Sequence, residues 1–202
     1  MSTSVMSDMD ILNEMFQPEV RVQKEQDAHS KKWNVILREP NMQDSKMTVN
    51  NIPSDAVIVK AESFFAVIVE NNSLTKRPFF VGDRGECKRA DFIMISEKEK
   101  VAIFIEMKRD KAGGVGVIKQ LAGAACLFAY CQKIGELFWE KQDFLKGYTH
   151  LYIGVGHTSI SKKPVEIKPK KDIHGIPRRH NKPNDFKIIN RPGNLQYSQL
   201  VD

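Results

Sequence analysis

Apolar and polar residues in the middle of the chain follow a pattern that predicts a β-hairpin. Residues 88–95 alternate between apolar and polar positions, and Val101–Lys108 is apolar throughout until Glu106. The polar segment Ser96–Lys100 has a suitable length for the connection between two antiparallel strands. We therefore predict an antiparallel hairpin. The continuous apolar second strand indicates a central position that is covered on both faces of its sheet.

A helical pattern follows this hairpin. Apolar residues recur at three- and four-residue steps to about Lys133, which predicts an amphipathic helix, at Val117, Leu121, Ala124, Ala125, Phe128 and Cys131. The glycine-rich segment Asp110–Gly116 fits neither the dinucleotide-binding pattern nor the P-loop, so we interpret it as a strand-to-helix turn. We also predict a second, shorter helix over Glu136–Lys146 and a strand over Thr149–Val155.

The segment after Ser54 supports two interpretations. Ser54 is a plausible N-cap, and apolar residues follow it at helical spacing until Asn71, at Val57, Ile58, Ala61, Phe64, Phe65 and Ile68. The β-branched runs Val57–Val59 and Val67–Val69 favour a pair of strands instead. We predict the helix and keep the strand pair as the alternative.

The resulting order of elements is helix, strand, strand, strand, helix, strand, which predicts an α/β fold. The first of these strands is the short apolar run Phe79–Val81. The N-terminal region shows only a short helix near Asp10–Phe16 and an apolar patch at Trp33–Leu37. We assign no role to this region from its sequence.

The composition is that of one globular domain with a local excess of positive charge. The chain has 202 residues, of which 41% are hydrophobic and 28% charged, and this excludes wholesale disorder and fibrous repeats. Ten basic and three acidic residues give residues 161–191 a charge of +7. Such a segment predicts binding to a polyphosphate backbone, with a solvated tail as the alternative. Apolar residues indicate that part of it packs on the core: Phe186, Ile188, Ile189, Leu195, Tyr197 and Leu200.

These patterns divide the chain into an N-terminal extension (1–50), a core (51–156) and a basic C-terminal segment packed on the core (157–202). Residues 1–16 lack the charged flank and the hydrophobic centre of a secretory signal. The longest apolar run, Leu121–Cys131, is shorter than a membrane-spanning helix, so we expect a cytoplasmic protein with no membrane partner. The three cysteines predict neither a disulfide framework nor a zinc site.

Two acidic residues and a lysine lie where the hairpin could bring them together. Side chains alternate along a strand, so Glu106 and Lys108 point the same way. Asp91 lies about eight residues before the centre of the hairpin turn and Glu106 about eight after it, which predicts that they are cross-strand neighbours. Two carboxylates on neighbouring strands offer hard oxygen ligands to a divalent cation such as Mg²⁺.

An acid, any residue and a lysine occur in sequence at four other places in the chain, so the tripeptide alone is weak evidence. Only Glu106 closes a long apolar strand and follows a strand with its own acid. A salt bridge from Lys108 to Glu106 or Asp91 is the structural alternative. We favour a functional site because a charged pair that ends a buried strand has no packing role.

Asp91, fourteen intervening residues and then Glu106-Met107-Lys108, within this order of elements, resemble the PD-(D/E)xK nuclease superfamily, also called restriction-endonuclease-like. The resemblance covers about Ser54–Val155. Ala90 stands where the family name has proline, a position that often varies in the family. The resemblance implies a restriction-endonuclease-like core, in which helices flank a mixed central sheet.

The resemblance also implies roles for these residues. Asp91 and Glu106 would bind Mg²⁺, with Mn²⁺ as the alternative ion, together with the backbone carbonyl of Met107. Lys108 would orient or activate the attacking water and stabilise the charge that develops on the phosphoryl group. Many members add a glutamate from the first helix, and Glu62 is favoured for this position over Glu70.

Some relatives place a glutamine or lysine on the helix after the catalytic strand. This implies Gln120 as a further catalytic residue and Lys119 as a residue near the substrate. The nucleic-acid-binding set that we predict is Lys119, Lys162, Lys163, Lys170, Lys171, Arg178 and Arg179.

The resulting hypothesis is a Mg²⁺-dependent deoxyribonuclease, more specifically an endonuclease, with RNA as an open alternative to DNA. Because many restriction-like enzymes act as dimers, a homodimer is also left open. Two other functions are kept: a catalytically inactive nucleic-acid-binding protein with the same fold, and an interaction or immunity-type protein whose charge is incidental.

Overall fold

The chain is mixed α/β in the computed structural model, which describes residues 6–38, 46–63, 67–70, 73–76, 83–108, 112–156, 180–190 and 193–202. This confirms the predicted α/β class. In chain order the described helices and strands are α1 (Asp8–Met15), β1 (Lys24–Gln26), β2 (Trp33–Arg38), β3 (Lys46–Ile52), β4 (Val57–Lys60), β5 (Val67–Glu70), β6 (Ser73–Lys76), β7 (Phe92–Ser96), β8 (Val101–Lys108), α2 (Val115–Phe138), β9 (Thr149–Gly156), β10 (Lys187–Asn190), β11 (Asn194–Gln196) and α3 (Ser198–Val201).

A five-stranded sheet with the spatial order β10-β9-β8-β7-β4 forms the centre of the fold. Strand β7 runs antiparallel to both β4 and β8, whereas β8, β9 and β10 run parallel to one another. Helix α2 connects the parallel strands β8 and β9, because such a pair requires a crossover rather than a tight turn. The central sheet is therefore mixed.

The predicted hairpin is present. Strands β7 and β8 pair from Phe92 opposite Ile105 to Ser96 opposite Val101. Asp55 holds the turn between them, since its carboxylate accepts hydrogen bonds from the backbone N–H groups of the first two turn residues at 2.8 and 2.9 Å. The first strand of the hairpin begins at Phe92, later than the sequence pattern suggested.

Strand β8 separates two hydrophobic cores. Phe104 belongs to the core that contains α1 and α2, whereas Ile105 and Met107 belong to the core shared with a second sheet. Burial on both faces explains the continuous apolar run of this strand and confirms its predicted central position. Glu106 and Lys108 lie on the same side as Phe104, as the side-chain alternation predicted.

The second sheet has the order β1-β2-β3-β11 and covers one face of the central sheet. Its buried residues Val35, Leu37 and Val49 come from the N-terminal region, and Leu195 comes from the C-terminal region. Strands β5 and β6 form a separate antiparallel hairpin. Both ends of the chain therefore contribute to the core, which supports the prediction that part of the C-terminal segment packs there.

The predicted helix from Ser54 to Asn71 is wrong. Val57–Lys60 is the edge strand β4, Ala61–Ser63 is a short 3₁₀ turn, and Val67–Glu70 is strand β5. Val57 and Val59 of β4 pack in one core and Ile58 packs in the other, so the strand is apolar at successive positions. Such a run can also supply apolar residues at the three- and four-residue spacing of a helix. The strand alternative was correct for both β-branched runs, although β4 pairs with β7 and β5 with β6. The predicted strand Phe79–Val81 lies outside the described residues.

The predicted helix over Glu136–Lys146 is also wrong. Helix α2 continues to Phe138, and turns follow it up to Gly147. Phe144 and Leu145 are buried within those turns, which explains the apolar signal there. Gly135 permits this packing, because a Cβ at that position would lie 2.0 Å from the Phe144 ring.

By length and composition alone, helix α2 is long and apolar enough to cross a membrane. This is weak evidence for a membrane, because core helices pass the same test. Val117, Leu121 and Phe128 on one face of α2 pack in the core, whereas Leu137 and Phe138 are exposed.

Helix α1 confirms the short helix predicted near Asp10–Phe16 and ties the N-terminal region to the core. Ser7 and Asp10 form a capping box at its start. The Asp8 carboxylate is buried. It accepts a hydrogen bond from the Tyr148 hydroxyl at 2.8 Å and forms an ion pair with the Lys141 ammonium at 2.9 Å. These contacts join the first turn of α1 to the segment between α2 and β9.

Candidate functional site

Several strand ends meet at one edge of the central sheet. Because β7 runs antiparallel to β4 and β8, its amino end lies beside their carboxyl ends, and the carboxyl ends of β9 and β10 lie at the same edge. Glu62, Asp91, Glu106 and Lys108 all come from these strand ends. The topology of the sheet, rather than proximity in sequence, brings them together.

Asp91 and Glu106 are cross-strand neighbours, as predicted. The pairing of Phe92 with Ile105 places Asp91, one residue earlier, beside Glu106. The Met107 backbone N–H donates a hydrogen bond of 2.6 Å to Asp91 Oδ2 and fixes the carboxylate against strand β8. Asp91 is only 8% exposed and Glu106 only 1%, so both carboxylates are largely removed from water.

Lys108 brings a positive charge to this acidic pair. Its ammonium forms an ion pair with Oε1 of Glu106, while 34% of its side chain is exposed. The Glu106 carboxylate is almost fully buried, and Lys108 is the cation that the described residues bring into contact with it. One ammonium against two buried carboxylates leaves an excess of negative charge, so the site is suited to an additional cation.

Burial dominates the electrostatics of both acids. Burial, followed by the negative charges of Glu106 and Glu62, raises the pKa of Asp91 to about 8, although the Met107 N–H and Lys108 oppose the shift. Burial likewise raises the pKa of Glu106 to about 7, against the lowering effect of the Lys108 ammonium. Two adjacent buried carboxylates repel each other when both are ionised, and a bound cation would relieve that repulsion.

Glu62 lies near the acidic pair, but it does not lie on a helix as predicted. It belongs to the 3₁₀ turn after β4, and the backbone N–H of Ala61 donates a hydrogen bond of 2.9 Å to the Asp91 carbonyl. Its charge raises the pKa of Asp91. No group of three potential ligands that could hold a metal occurs among the described residues. Glu70 ends strand β5, and its side chain lies outside the description.

The predicted residues on α2 lie on the first turns of that helix. The Gln120 side chain interacts with Glu106 and lowers the pKa of its carboxyl group. The Lys119 side chain packs closely against the loop before β7, since a Cβ at Gly85 of that loop would lie 2.6 Å from Cδ of Lys119. Gln120 therefore joins the acidic pair, and Lys119 borders the loop that leads to Asp91.

The predicted nucleic-acid-binding residues Lys162, Lys163, Lys170, Lys171, Arg178 and Arg179 lie outside the described residues. Gly156 at the end of β9 is the last described residue before these positions, and it pairs with Lys108 at the sheet edge that carries the acidic pair. Two further basic residues of the segment are described. Lys182 is exposed, whereas the Lys187 ammonium donates to the Gln199 carbonyl at 2.8 Å and has a structural role.

Sequence reasoning missed the close packing that positions Asp91. At Gly123 of α2, a Cβ would lie 1.8 Å from the carbonyl oxygen of Lys88, so the loop that leads to Asp91 touches the helix backbone. Gly154 pairs with Glu106 across β8 and β9, and a Cβ there would lie 2.7 Å from the Phe186 ring. A glycine within an apolar helix or strand was the available signal, because it often marks a close approach.

The raised pKa values predict that Glu106→Gln stabilises the metal-free protein at alkaline pH. An acid whose pKa is higher in the folded state contributes most stability below its unfolded pKa, and this contribution is lost as pH rises through the folded value of about 7. The glutamine side chain of the variant would remain neutral throughout. Urea unfolding in EDTA should therefore show a gain on the order of 2 kcal/mol at pH 8.5 that vanishes near pH 4.

The matched control is Glu25→Gln on the exposed strand β1, which should leave the free energy of unfolding unchanged at both pH values. A Glu106→Gln protein less stable than the wild type at pH 8.5 would contradict the electrostatic description of the pair.

Comparisons with known proteins give no assignment for this site. The chain matches no family model, no curated protein and no solved structure. The case for a function therefore depends on the side chains at the edge of the central sheet.

Proposed function

We propose that this chain is a metal-dependent nuclease that hydrolyses phosphodiester bonds in DNA, with an endonucleolytic mode. The observation that carries the proposal is the convergence of Asp91, Glu106 and Lys108 at one sheet edge. Open α/β sheets commonly bind ligands outside the carboxyl ends of their strands, and this edge is of that kind.

The acidic pair fits a divalent cation of the Mg²⁺ type. Asp91 and Glu106 supply hard oxygen ligands, and the Lys108 ammonium offsets only one of these two buried negative charges. Mn²⁺ has the same ligand preference and is the alternative ion. When bound, such a cation acts as a Lewis acid on the phosphoryl group and lowers the pKa of bound water.

Lys108 supplies the remaining charge that the reaction needs. Its ammonium is at the site and its side chain is partly exposed, so it can contact a phosphate that approaches from solvent. A positive charge there stabilises negative charge that develops on the phosphoryl oxygens during attack by water. The Gln120 side chain interacts with the Glu106 carboxylate, so Gln120 would orient Glu106 rather than contact the substrate.

The fold is compatible with a restriction-endonuclease-like core. Strands β4, β7 and β8 form an antiparallel meander, α2 follows, and β9 returns parallel to β8. This is the order of three strands, helix and strand that the superfamily resemblance implies. The helix implied before the first strand would be α1, which is separated from β4 by strands β1 to β3.

The charge distribution favours a polyanionic substrate. Residues 161–191 carry a charge of +7, and Gly156, five residues before them, pairs with Lys108 at the edge that carries the acidic pair. A segment of this charge would attract a nucleic-acid backbone and release its counterions. The same charge would attract RNA, so the preference for DNA is part of the test.

The experiment is incubation of the full chain with supercoiled plasmid in Mg²⁺ or Mn²⁺, followed by gel analysis of nicked and linear products. We expect cleavage that EDTA abolishes, and slower cleavage of an RNA of similar length. Closed circular substrate also distinguishes an endonuclease from an exonuclease, since a circle has no ends.

Absence of cleavage with either ion would contradict the proposal. Plasmid binding with a steep salt dependence but no hydrolysis would instead support a catalytically inactive nucleic-acid-binding protein. Absence of both binding and cleavage at modest salt would favour an interaction protein.

A further inference from the structure

A cavity lies at the amino end of the edge strand β4, whereas the acidic pair lies beside the carboxyl end of this strand. It has a volume of about 240 Å³ and is lined by the polar residues Asn13, Arg21, Gln23, Lys24 and Asp55 together with apolar residues of β4. Val22 holds the segment before β1 against this strand, since its N–H donates to the Ile58 carbonyl at 2.8 Å. We refer to this space as the β4 cavity.

Two cations line the β4 cavity without forming an ion pair within the described ranges. Arg21 Nη1 donates to the Asn13 side-chain oxygen at 2.8 Å, whereas Arg21 Nε is buried and has no acceptor there. Lys24 donates to the Ser54 carbonyl at 2.6 Å and lies 5.2 Å from the centre of the Trp33 ring. Both side chains are thus oriented, and neither charge is neutralised by a carboxylate in direct contact.

Asp55 also lines the cavity, and its negative charge acts on Lys24, but it forms no ion pair with either cation within the described ranges. Its carboxylate accepts hydrogen bonds from the Ser96 hydroxyl and from the backbone N–H groups of Glu97 and Lys98. These donors satisfy the carboxylate and stabilise the hairpin turn. Two cations against one carboxylate leave the lining with a net positive charge, and the group that complements it is an anion.

We propose that the β4 cavity binds a phosphate group through Arg21 and Lys24. The guanidinium has several donors left and matches the geometry of phosphate oxygens, while the ammonium adds a point charge. A volume near 240 Å³ corresponds to about eight water molecules, which accommodates a phosphate monoester of modest size rather than a large cofactor. The site is independent of the proposed nuclease activity.

The two tryptophans provide a local test. Trp33 lies beside Lys24, whereas the Trp139 indole donates to Glu14 at 3.0 Å and lies near α1, so their indole NMR signals report on different places. The full chain is titrated with inorganic phosphate, with acetate and with a short oligothymidine that lacks a terminal phosphate. We expect phosphate to shift the Trp33 signal in a saturable way and to leave the Trp139 signal in place.

Arg21→Gln and Lys24→Gln should each weaken phosphate binding at least about tenfold, since each removes a charge-assisted contact. Lys32→Gln, an exposed neighbour outside the cavity, should leave the affinity unchanged. A saturable shift with the oligothymidine that Arg21→Gln also removes would identify backbone phosphate as the source. The proposal is overturned if the phosphate shift does not saturate, if Arg21→Gln leaves it unchanged, or if acetate binds as tightly as phosphate.

Discussion

Replacing Glu106 with Gln should lower the rate of Mg²⁺-dependent plasmid cleavage at least about a hundredfold. The substitution removes a cation ligand and the partner of the Lys108 ammonium, but it keeps the shape of the side chain. Asp91→Asn and Lys108→Met should have effects of similar size, because each removes one of the converging charges. Initial rates of nicking, measured by gel at saturating Mg²⁺, provide the comparison.

Two controls separate chemistry from folding in this series. Glu25→Gln and Lys32→Met change exposed charges of β1 and of the turn that follows it, and they should cleave at the wild-type rate. Far-UV circular dichroism should show that every variant is folded. Cleavage by Asp91→Asn or Lys108→Met within about threefold of the wild-type rate would remove that residue from the mechanism.

Replacing Asp8 with Ala should destabilise the protein by about 3 kcal/mol, because it breaks a buried charge network. The substitution leaves the Tyr148 hydroxyl without its acceptor and the Lys141 ammonium without its ion pair. Urea unfolding at pH 7 measures the loss. Asp10→Ala on the same turn of α1 is the matched control, and it should cost much less because it removes only exposed side-chain hydrogen bonds with Ser7.

The contribution of Asp8 to the free energy of unfolding should depend on pH, and the direction of its pKa shift sets how. Burial alone would raise the pKa of Asp8, but Lys141, Tyr148 and Lys100 outweigh it and hold the pKa below the ordinary value of 3.8. The stabilisation is therefore complete above that value and is lost as pH falls through the folded pKa. The gap in unfolding free energy between wild type and Asp8→Ala should be full at pH 7 and shrink in strong acid. A gap that stays constant would contradict this assignment.

The hairpin and its acids could be predicted because their signals are local. Strand β8 has an uninterrupted apolar run, a short polar connection precedes it, and the alternation of side chains sets which residues share a face. Once Ser96–Lys100 was recognised as the turn, the register of Asp91 opposite Glu106 followed from counting. The metal ligation and the catalysis inferred from that register stay predictions.

Other parts of the fold could not be read from local patterns. The edge strand β4 contacts both cores, so its apolar spacing lost the alternation typical of a half-buried strand. The second sheet pairs β3 with β11, which are separated by most of the chain. The place of Glu62 beside Asp91 depends on the pairing of β4 with β7, and that pairing was hidden by the predicted helix.

The role of the N-terminal region was hidden for a different reason. Asp8 is one acid among many in a polar stretch, and its importance comes from Lys141 and Tyr148, which are more than a hundred residues away. Such long-range charge networks leave no periodic signal. The same holds for the cations of the β4 cavity, since Arg21 and Lys24 look like ordinary surface residues in the sequence.

The most direct test of the central claim is a crystal of the full chain soaked in Mn²⁺ and measured for anomalous scattering. The account predicts a peak between Asp91 and Glu106, with oxygen atoms of both carboxylates within about 2.4 Å of the ion. It also predicts that the Lys108 ammonium moves away from the Glu106 oxygen with which it forms an ion pair here. No peak at these carboxylates at saturating Mn²⁺, with Lys108 still paired to Glu106, would contradict it.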